Sequence, residues 1–273
     1  MVGSALIDMN GGMLGTTGET TWDGNIFGGG RNFSAQHETT GRVGGNVTVN
    51  VRKGTLLGSV FGGGRLGSVG VNDLDGNDFA MQEGDDHGFI TVNIGGDDGD
   101  GQTGDIAIGH TAYNDHDQVG GNVYGGGKGI AGPSTSIYPK LAQVKQTVVN
   151  IKERKNFKTW IEGSVFGSGE DGHVLQDTYV NVFGGQIGGH EYGDLTPCAD
   201  VYHGNVYGAG RGIDTYTQGG TQHHSETAGI VRGNTNVNMY GGNVVRNVYG
   251  GGNLASVGNA NETPHANGNY HNG

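Results

Sequence analysis

Two patterns of hydrophobic and polar residues alternate along the chain. In the first, aliphatic residues flank a central amide: Val49-Asn50-Val51, Val92-Asn93-Ile94, Val149-Asn150-Ile151, Val180-Asn181-Val182 and Val237-Asn238-Met239. Ile7-Asp8-Met9 fits the same frame with a carboxylate at the centre. A period of two is that of a half-buried strand. In the second pattern an aliphatic and an aromatic residue precede glycines, as in Gly24-Asn25-Ile26-Phe27-Gly28-Gly29-Gly30. Its other copies begin at Gly58, Gly121, Gly163, Gly204 and Arg246. We call these the A motif and the B motif. The order A-B recurs six times.

The spacing of the copies carries architectural information. Successive A motifs lie 42, 43, 57, 31 and 57 residues apart, and successive B motifs 34, 63, 42, 41 and 42. Uniform strands with unequal connections suit a parallel β-solenoid, which tolerates insertions at its corners. The chain therefore reads as one all-β domain over residues 1–273, a β-helix of about six rungs with loops of variable length. At about 4.8 Å per rung it would be a rod about 29 Å long. A six-bladed propeller is the alternative, but each blade needs four strands and the sequence offers two strong ones per repeat. The unit could equally be one segment of a longer repeat protein or filament.

Stacking assigns work to the repeated positions. The aliphatic residues of the A motif form a buried column, each worth about 1.5–3 kcal/mol when fully buried. The central Asn can build a ladder, each amide donating to one neighbour and accepting from the other. Asp8 cannot donate, so an end of the stack is where it does least harm. In the B motif Phe27, Phe61, Tyr124, Phe166, Tyr207 and Tyr249 form a stripe. Free exchange of Phe and Tyr favours packing, with an exposed sugar-stacking strip as the alternative. The following glycines are expected to supply positive-φ turns and close backbone approach. They are no dinucleotide fingerprint, because no helical periodicity follows them. The next residue is Arg31, Arg65, Lys128, Glu170, Arg211 or Asn253, which suggests alternating ion pairs or an anion-binding strip.

Composition narrows the classes. Glycine accounts for 60 of 273 residues. At about 1 kcal/mol per interior helix position, that excludes a helical bundle. No apolar run approaches the length of a membrane span, so no membrane insertion is expected. The net charge of −12 argues against nucleic-acid binding. Cys198 is the single cysteine, so no intrachain disulfide can form. Met1 is not followed by a basic and then an apolar stretch, so no signal peptide is visible.

Candidate chemistry lies in the loops. Asp73, Asp75 and Asn77, and separately Asp98 and Asp100, alternate as calcium ligands do, although neither segment completes an EF-hand. Asp85-Asp86-His87, Asp115-His116-Asp117 and His223-His224 are candidate transition-metal ligands, in no recognised zinc spacing. The basic run Lys152 to Lys158 reads as a solvated hairpin. No nucleophile elbow, zinc-protease helix or nucleotide loop is present. No catalytic residue and no resident cofactor other than candidate calcium is expected.

The alternation culminates in Asn234-Thr235-Asn236-Val237-Asn238-Met239-Tyr240-Gly241-Gly242, followed by Val248-Tyr249-Gly250-Gly251-Gly252. It resembles the glycine-rich repeat region of very large surface proteins of gut-type anaerobic bacteria. The resemblance spans the repeats and not the long loops. It implies an extracellular or cell-surface, adhesin-like or fibre-forming β-solenoid without catalysis. Self-association, head to tail into a filament, is the expected partnership, and glycan binding or polysaccharide degradation is the alternative.

Overall fold

The computed structural model describes residues 3–15, 23–33, 37, 40–70, 86–96, 104–109, 120–133, 136–198, 201–213, 215–225 and 228–258. Among them the protein is all-β, with parallel strands in a curled sheet and one 3-10 turn at Tyr138–Lys140. No helix is long and apolar enough to cross a membrane.

Each A motif pairs in parallel with the next. The strands Ala5–Leu14, Val47–Leu56, Phe89–Ile94, Gln146–Ile151, Thr178–Val182 and Thr235–Met239 lie side by side in chain order. Their register puts Asp8, Asn50, Asn93, Asn150, Asn181 and Asn238 in one row. The B motifs do the same over Ile26–Phe27, Val60–Phe61, Val123–Tyr124, Val165–Phe166, Val206–Tyr207 and Val248–Tyr249, a six-stranded parallel sheet. Aliphatic residues of both motifs enter one hydrophobic core, where Val49, Val92, Val149, Val180, Val60, Val123, Val165 and Val206 are fully buried.

Two further strand positions per repeat escape the sequence patterns. One follows the A motif: Thr55–Leu56, Ile106–Ile108, Thr159–Ile161, Gln186–Ile187 and Asn243–Val244 pair in parallel in that order. The other precedes the next A motif and centres on a single valine. Val43 bridges Val69, Val144 pairs with Val174, and Val174, Val231 and Val257 bridge in turn. Two strands per repeat was thus too low a count. These strands still do not form propeller blades, because the sheets run across repeats.

Polar side chains tie neighbouring strands together. Asn50 Nδ2 donates to Asp8 Oδ1 at 2.6 Å, Asn93 to Asn50 at 2.8 Å and Asn150 to Asn93 at 2.9 Å. Asn181 then donates to Asn150 at 3.0 Å and Asn238 to Asn181 at 2.9 Å. The expected ladder is present, and every bond in it points toward Asp8. A second ladder runs along the B motifs. The backbone N–H of Ser59 donates to Asn25 Oδ1, that of Asn122 to Ser59 Oγ, that of Ser164 to Asn122 Oδ1 and that of Asn205 to Ser164 Oγ. Only an acceptor is needed there, which explains why Asn and Ser exchange freely.

The aromatic stripe is a stacked column. Adjacent rings from Phe27 to Tyr249 have centroids 4.6 to 4.9 Å apart and planes within 12° of parallel. The strand separation sets that spacing, and it lies in the range of offset stacking. Phe61, Tyr124, Phe166 and Tyr207 are buried. Their faces are taken by one another, so the interior of the column offers no ring face to a sugar.

The glycine directly after the aromatic residue of each B motif has a different role from the one expected. None of these glycines has a positive φ. Each is instead pressed by the neighbouring repeat. A Cβ on Gly28, Gly62, Gly125, Gly167 or Gly208 would stand 2.2, 2.3, 2.2, 2.1 or 2.3 Å from the carbonyl oxygen of the equivalent glycine in the next repeat. Positive φ serves the corner after the A motif, as at Gly185 (91°) and Gly242 (83°). At Gly250, by contrast, no described atom lies within 4 Å of a built Cβ. Gly62→Ala is therefore expected to lower stability by about 1–3 kcal/mol or more through overpacking. Gly250→Ala should leave it within about 0.5 kcal/mol. Urea denaturation of the two variants checks the contrast.

Candidate functional site

The residue after the B-motif glycines forms a column of its own. Arg31 bridges Arg65 and Arg65 bridges Lys128, while Glu170 bridges Arg211 and Arg211 bridges Asn253. Glu170 converts this cationic row into an ion-pair network. Its Oε1 accepts from Lys128 Nζ, its Oε2 accepts the Tyr124 hydroxyl at 2.8 Å, and Arg211 NH1 lies 3.9 Å from Oε2. The guanidinium of Arg211 also faces the Tyr202 ring at 5.2 Å. Glu170, Asp171 and Arg211 are all buried. Of the two expectations for this row, paired charges hold where Glu170 stands. Such burial is costly for each ion and tolerable only with close partners.

Among the described residues, a concave feature lies at the loop from strand Gln146–Ile151 to strand Thr159–Ile161. It borders an open surface cavity of about 400 Å³ lined by Glu153, Arg154, Lys155, Phe157, Lys158 and Tyr192, among others. Asn156 holds the turn at a φ of 76°. Glu153 orders the wall: Oε2 accepts the Thr159 N–H at 3.1 Å and Oε1 accepts the Tyr192 hydroxyl at 3.1 Å. Lys158 Nζ stands 5.3 Å from the Tyr192 ring centroid. Partial burial and the bond to Glu153 push the Tyr192 hydroxyl above its ordinary range. The basic run is solvated around its turn, as expected, and also lines this cavity. Sequence reading missed Tyr192, which reaches the loop from the following repeat and carries no local signal. Glu153 is the carboxylate in the lining, and Asp105 stands beside it, its Oδ1 accepting the Lys158 N–H at 2.9 Å.

The remaining candidates are separate from it. Asp73, Asp75, Asn77, Asp98 and Asp100 lie outside the described residues, as do Asp85 and Asp115-His116-Asp117. His223 and His224 occupy an exposed antiparallel hairpin, Thr215–Gln218 with Thr221–His224. Among the described residues no three His, Cys, Asp or Glu side chains gather as metal ligands. Cys198 Sγ stands 3.8 Å from His190 Nδ1, the geometry of a nucleophile beside a base. However, burial first and Glu162 second push its thiol up, which disfavours the reactive thiolate. Comparison with protein-family models, with curated proteins and with solved structures finds no match.

Removing the central anion should show how much the network matters. Glu170→Gln leaves the cations of Lys128 and Arg211 without their shared carboxylate, at an expected cost of about 3–5 kcal/mol, measurable by denaturant unfolding. The aromatic column makes a separate prediction. Burial, and then the neighbouring Tyr249, push Tyr207 up to about 12, and burial also raises Tyr124. The folded state keeps these phenols protonated where an unfolded chain would ionise them. Their stabilising contribution is therefore complete below about pH 10 and lost as pH rises from about 10 through about 12. Tyrosinate absorbance should show a late-titrating fraction that appears together with loss of the β-sheet circular dichroism signal.

Proposed function

We propose that the chain is a non-catalytic structural or adhesive β-solenoid of about six rungs, working outside the cell or at its surface. The observation that carries this reading is the continuity of the repeated positions. One amide ladder, one acceptor ladder, one aliphatic core and one aromatic column run through the repeats in register. Each repeated residue is committed to its copy in the neighbouring repeat, as a scaffold requires. Sheets that run across repeats favour the solenoid over the propeller. The extracellular placement rests on the resemblance of the repeat to bacterial surface proteins. Association with further repeats of the same kind belongs to the same reading, since the last repeat leaves Val248, Tyr249 and Tyr240 exposed.

A second reading, a carbohydrate-binding solenoid, has one observation in its favour. The cavity beside Tyr192 combines an aromatic ring with Arg154, Lys155 and Lys158, a suitable lining for an acidic sugar. A glycan array and a reducing-sugar release assay separate the two. The structural reading expects no turnover and no retained glycan. Binding that disappears in Arg154→Ala and Lys158→Ala would replace it with the second.

A further inference from the structure

The two ends of the strand stack are unlike: Ile26 is buried at one edge, Val248 is exposed at the other, and Asp8 stands where the other strands carry Asn. At the C-terminal edge, Val248 and Tyr249 are exposed, whereas their counterparts Val206 and Tyr207 are buried. Gly250 and Gly251 have no described atom within 4 Å of a built Cβ. Their counterparts Gly62 and Gly63 are glycine because the next repeat presses on them, at 2.3 Å and 2.7 Å. Neither Gly250 nor Gly251 has a positive φ. Nothing in the described chain requires glycine there; a further strand in the same register would. Asn238 Oδ1 and Asn247 Oδ1 end the two ladders as acceptors on this edge.

The N-terminal edge continues the register at almost every repeated position. Set after the last repeat, a second copy would place Ile7 beside Val237, Met9 beside Met239, Leu14 beside Val244 and Phe27 on Tyr249. The backbone N–H of Asn25 would reach Asn247 Oδ1, as Asn247 N reaches Asn205 Oδ1 within the chain. The ladder position fails. Every ladder bond is donated by the later strand to the earlier one. The incoming residue must therefore donate to Asn238 Oδ1, and Asp8 has only acceptor oxygens. Docking would press a carboxylate against a carbonyl oxygen and strip water from both. An inward-facing charge on an edge strand is a known protection against edge-to-edge pairing.

We propose that the C-terminal edge is a docking face for a further strand repeat that carries an amide donor at the ladder position, and that Asp8 denies this face to the N-terminal edge of a second copy of the chain. This rests on the stacked-rung reading above and adds a polarity to it. The required partner is a polypeptide of the same aliphatic-Asn-aliphatic, aliphatic-aromatic-glycine type, with Asn where this chain has Asp8.

The probe is the full chain with Asp8→Asn, which still accepts from Asn50 and gains the missing donor. Light scattering after size exclusion should show the wild type as a monomer and the variant as head-to-tail oligomers whose mass rises with concentration. Their end-to-end affinity should exceed that of the wild type at least about tenfold. Adding Gly250→Leu blocks the docking face in a place that is open in the monomer, so Asp8→Asn/Gly250→Leu should remain monomeric alone. Mixed with wild type, that double variant should give a one-to-one dimer and nothing larger, because only its N-terminal edge can dock. The proposal is overturned if the wild type associates as strongly as Asp8→Asn, if Asp8→Asn stays monomeric, or if Gly250→Leu leaves association unchanged. An Asp8→Asn monomer with unaltered circular dichroism and melting would defeat the docking proposal alone. An unaffected Gly62→Ala would instead count against the stacked-rung reading.

Discussion

The backbone of one repeat passes so close to the next that a side chain does not fit between them. That contact, between the glycine after the B-motif aromatic and the carbonyl of its successor, sets the terms for the rest of the structure. With Cβ distances of 2.1 to 2.3 Å to oxygen, there is no room even for alanine. The approach is so close because the glycines face the same interior as the A-motif valines. A built Cβ on Gly62 would also meet Ile90 Cγ2 at 2.5 Å and Val92 Cγ2 at 2.7 Å. The core is thin at this point, one valine column against bare backbone. Thin cores bury little area per residue, so stability must be gathered from many repeats in register. The aromatic column on the opposite face follows from the same register, since the strand spacing is also the ring spacing.

Parallel strands at fixed spacing also give the polar groups a direction. An amide between two identical amides can donate one way and accept the other, and the A-motif ladder chooses one sense throughout. A ladder with a sense has two chemically different ends. One ends in an acceptor that still wants a donor, the other in a residue that must do without donating. Asp8 suits the second role, and its partial exposure, 35% of the side chain, and the nearby Arg52 guanidinium at 3.5 Å keep the carboxylate solvated and paired. The B-motif ladder has the same sense but draws its donors from the backbone, so its side chains need only an oxygen. This accounts for strict Asn in one row and interchange of Asn and Ser in the other.

The A and B strands, their order and their in-register stacking were legible because those positions are locked by their own copies. Any change at Val149, Asn150 or Gly125 must suit two neighbours, and the sequence repeats accordingly. The Asn ladder and the packing role of the rings could be read for the same reason. The third strand of each repeat was not legible. Thr159–Ile161 and Gln186–Ile187 share only a buried aliphatic at one position, too little to stand out from a loop. The single-valine bridges are shorter still. The glycines were half understood: close approach was anticipated after the aromatic residue, but positive φ falls elsewhere, at the motif-opening Gly24, Gly121 and Gly204 and at corners such as Gly185 and Gly242. Tyr192 joined the loop at Glu153 through tertiary contact alone, which no local pattern announces.

A residue surrounded by copies of itself is poorly suited to selective chemistry, because its environment is symmetric along the stack. Specific binding or reactivity needs groups of different kind converging on one point. In this chain the departures from the repeat provide that. Glu170 stands where neighbouring repeats carry Lys128 and Arg211, and it draws Tyr124 into a buried network found in no other described repeat. The loop from Lys152 to Lys158 supplies a cavity with mixed charge and two aromatic rings. Asp8 puts a carboxylate into the amide row, where it accepts from Asn50. The uniform strands hold the scaffold, and the interruptions are where one repeat becomes distinguishable from another.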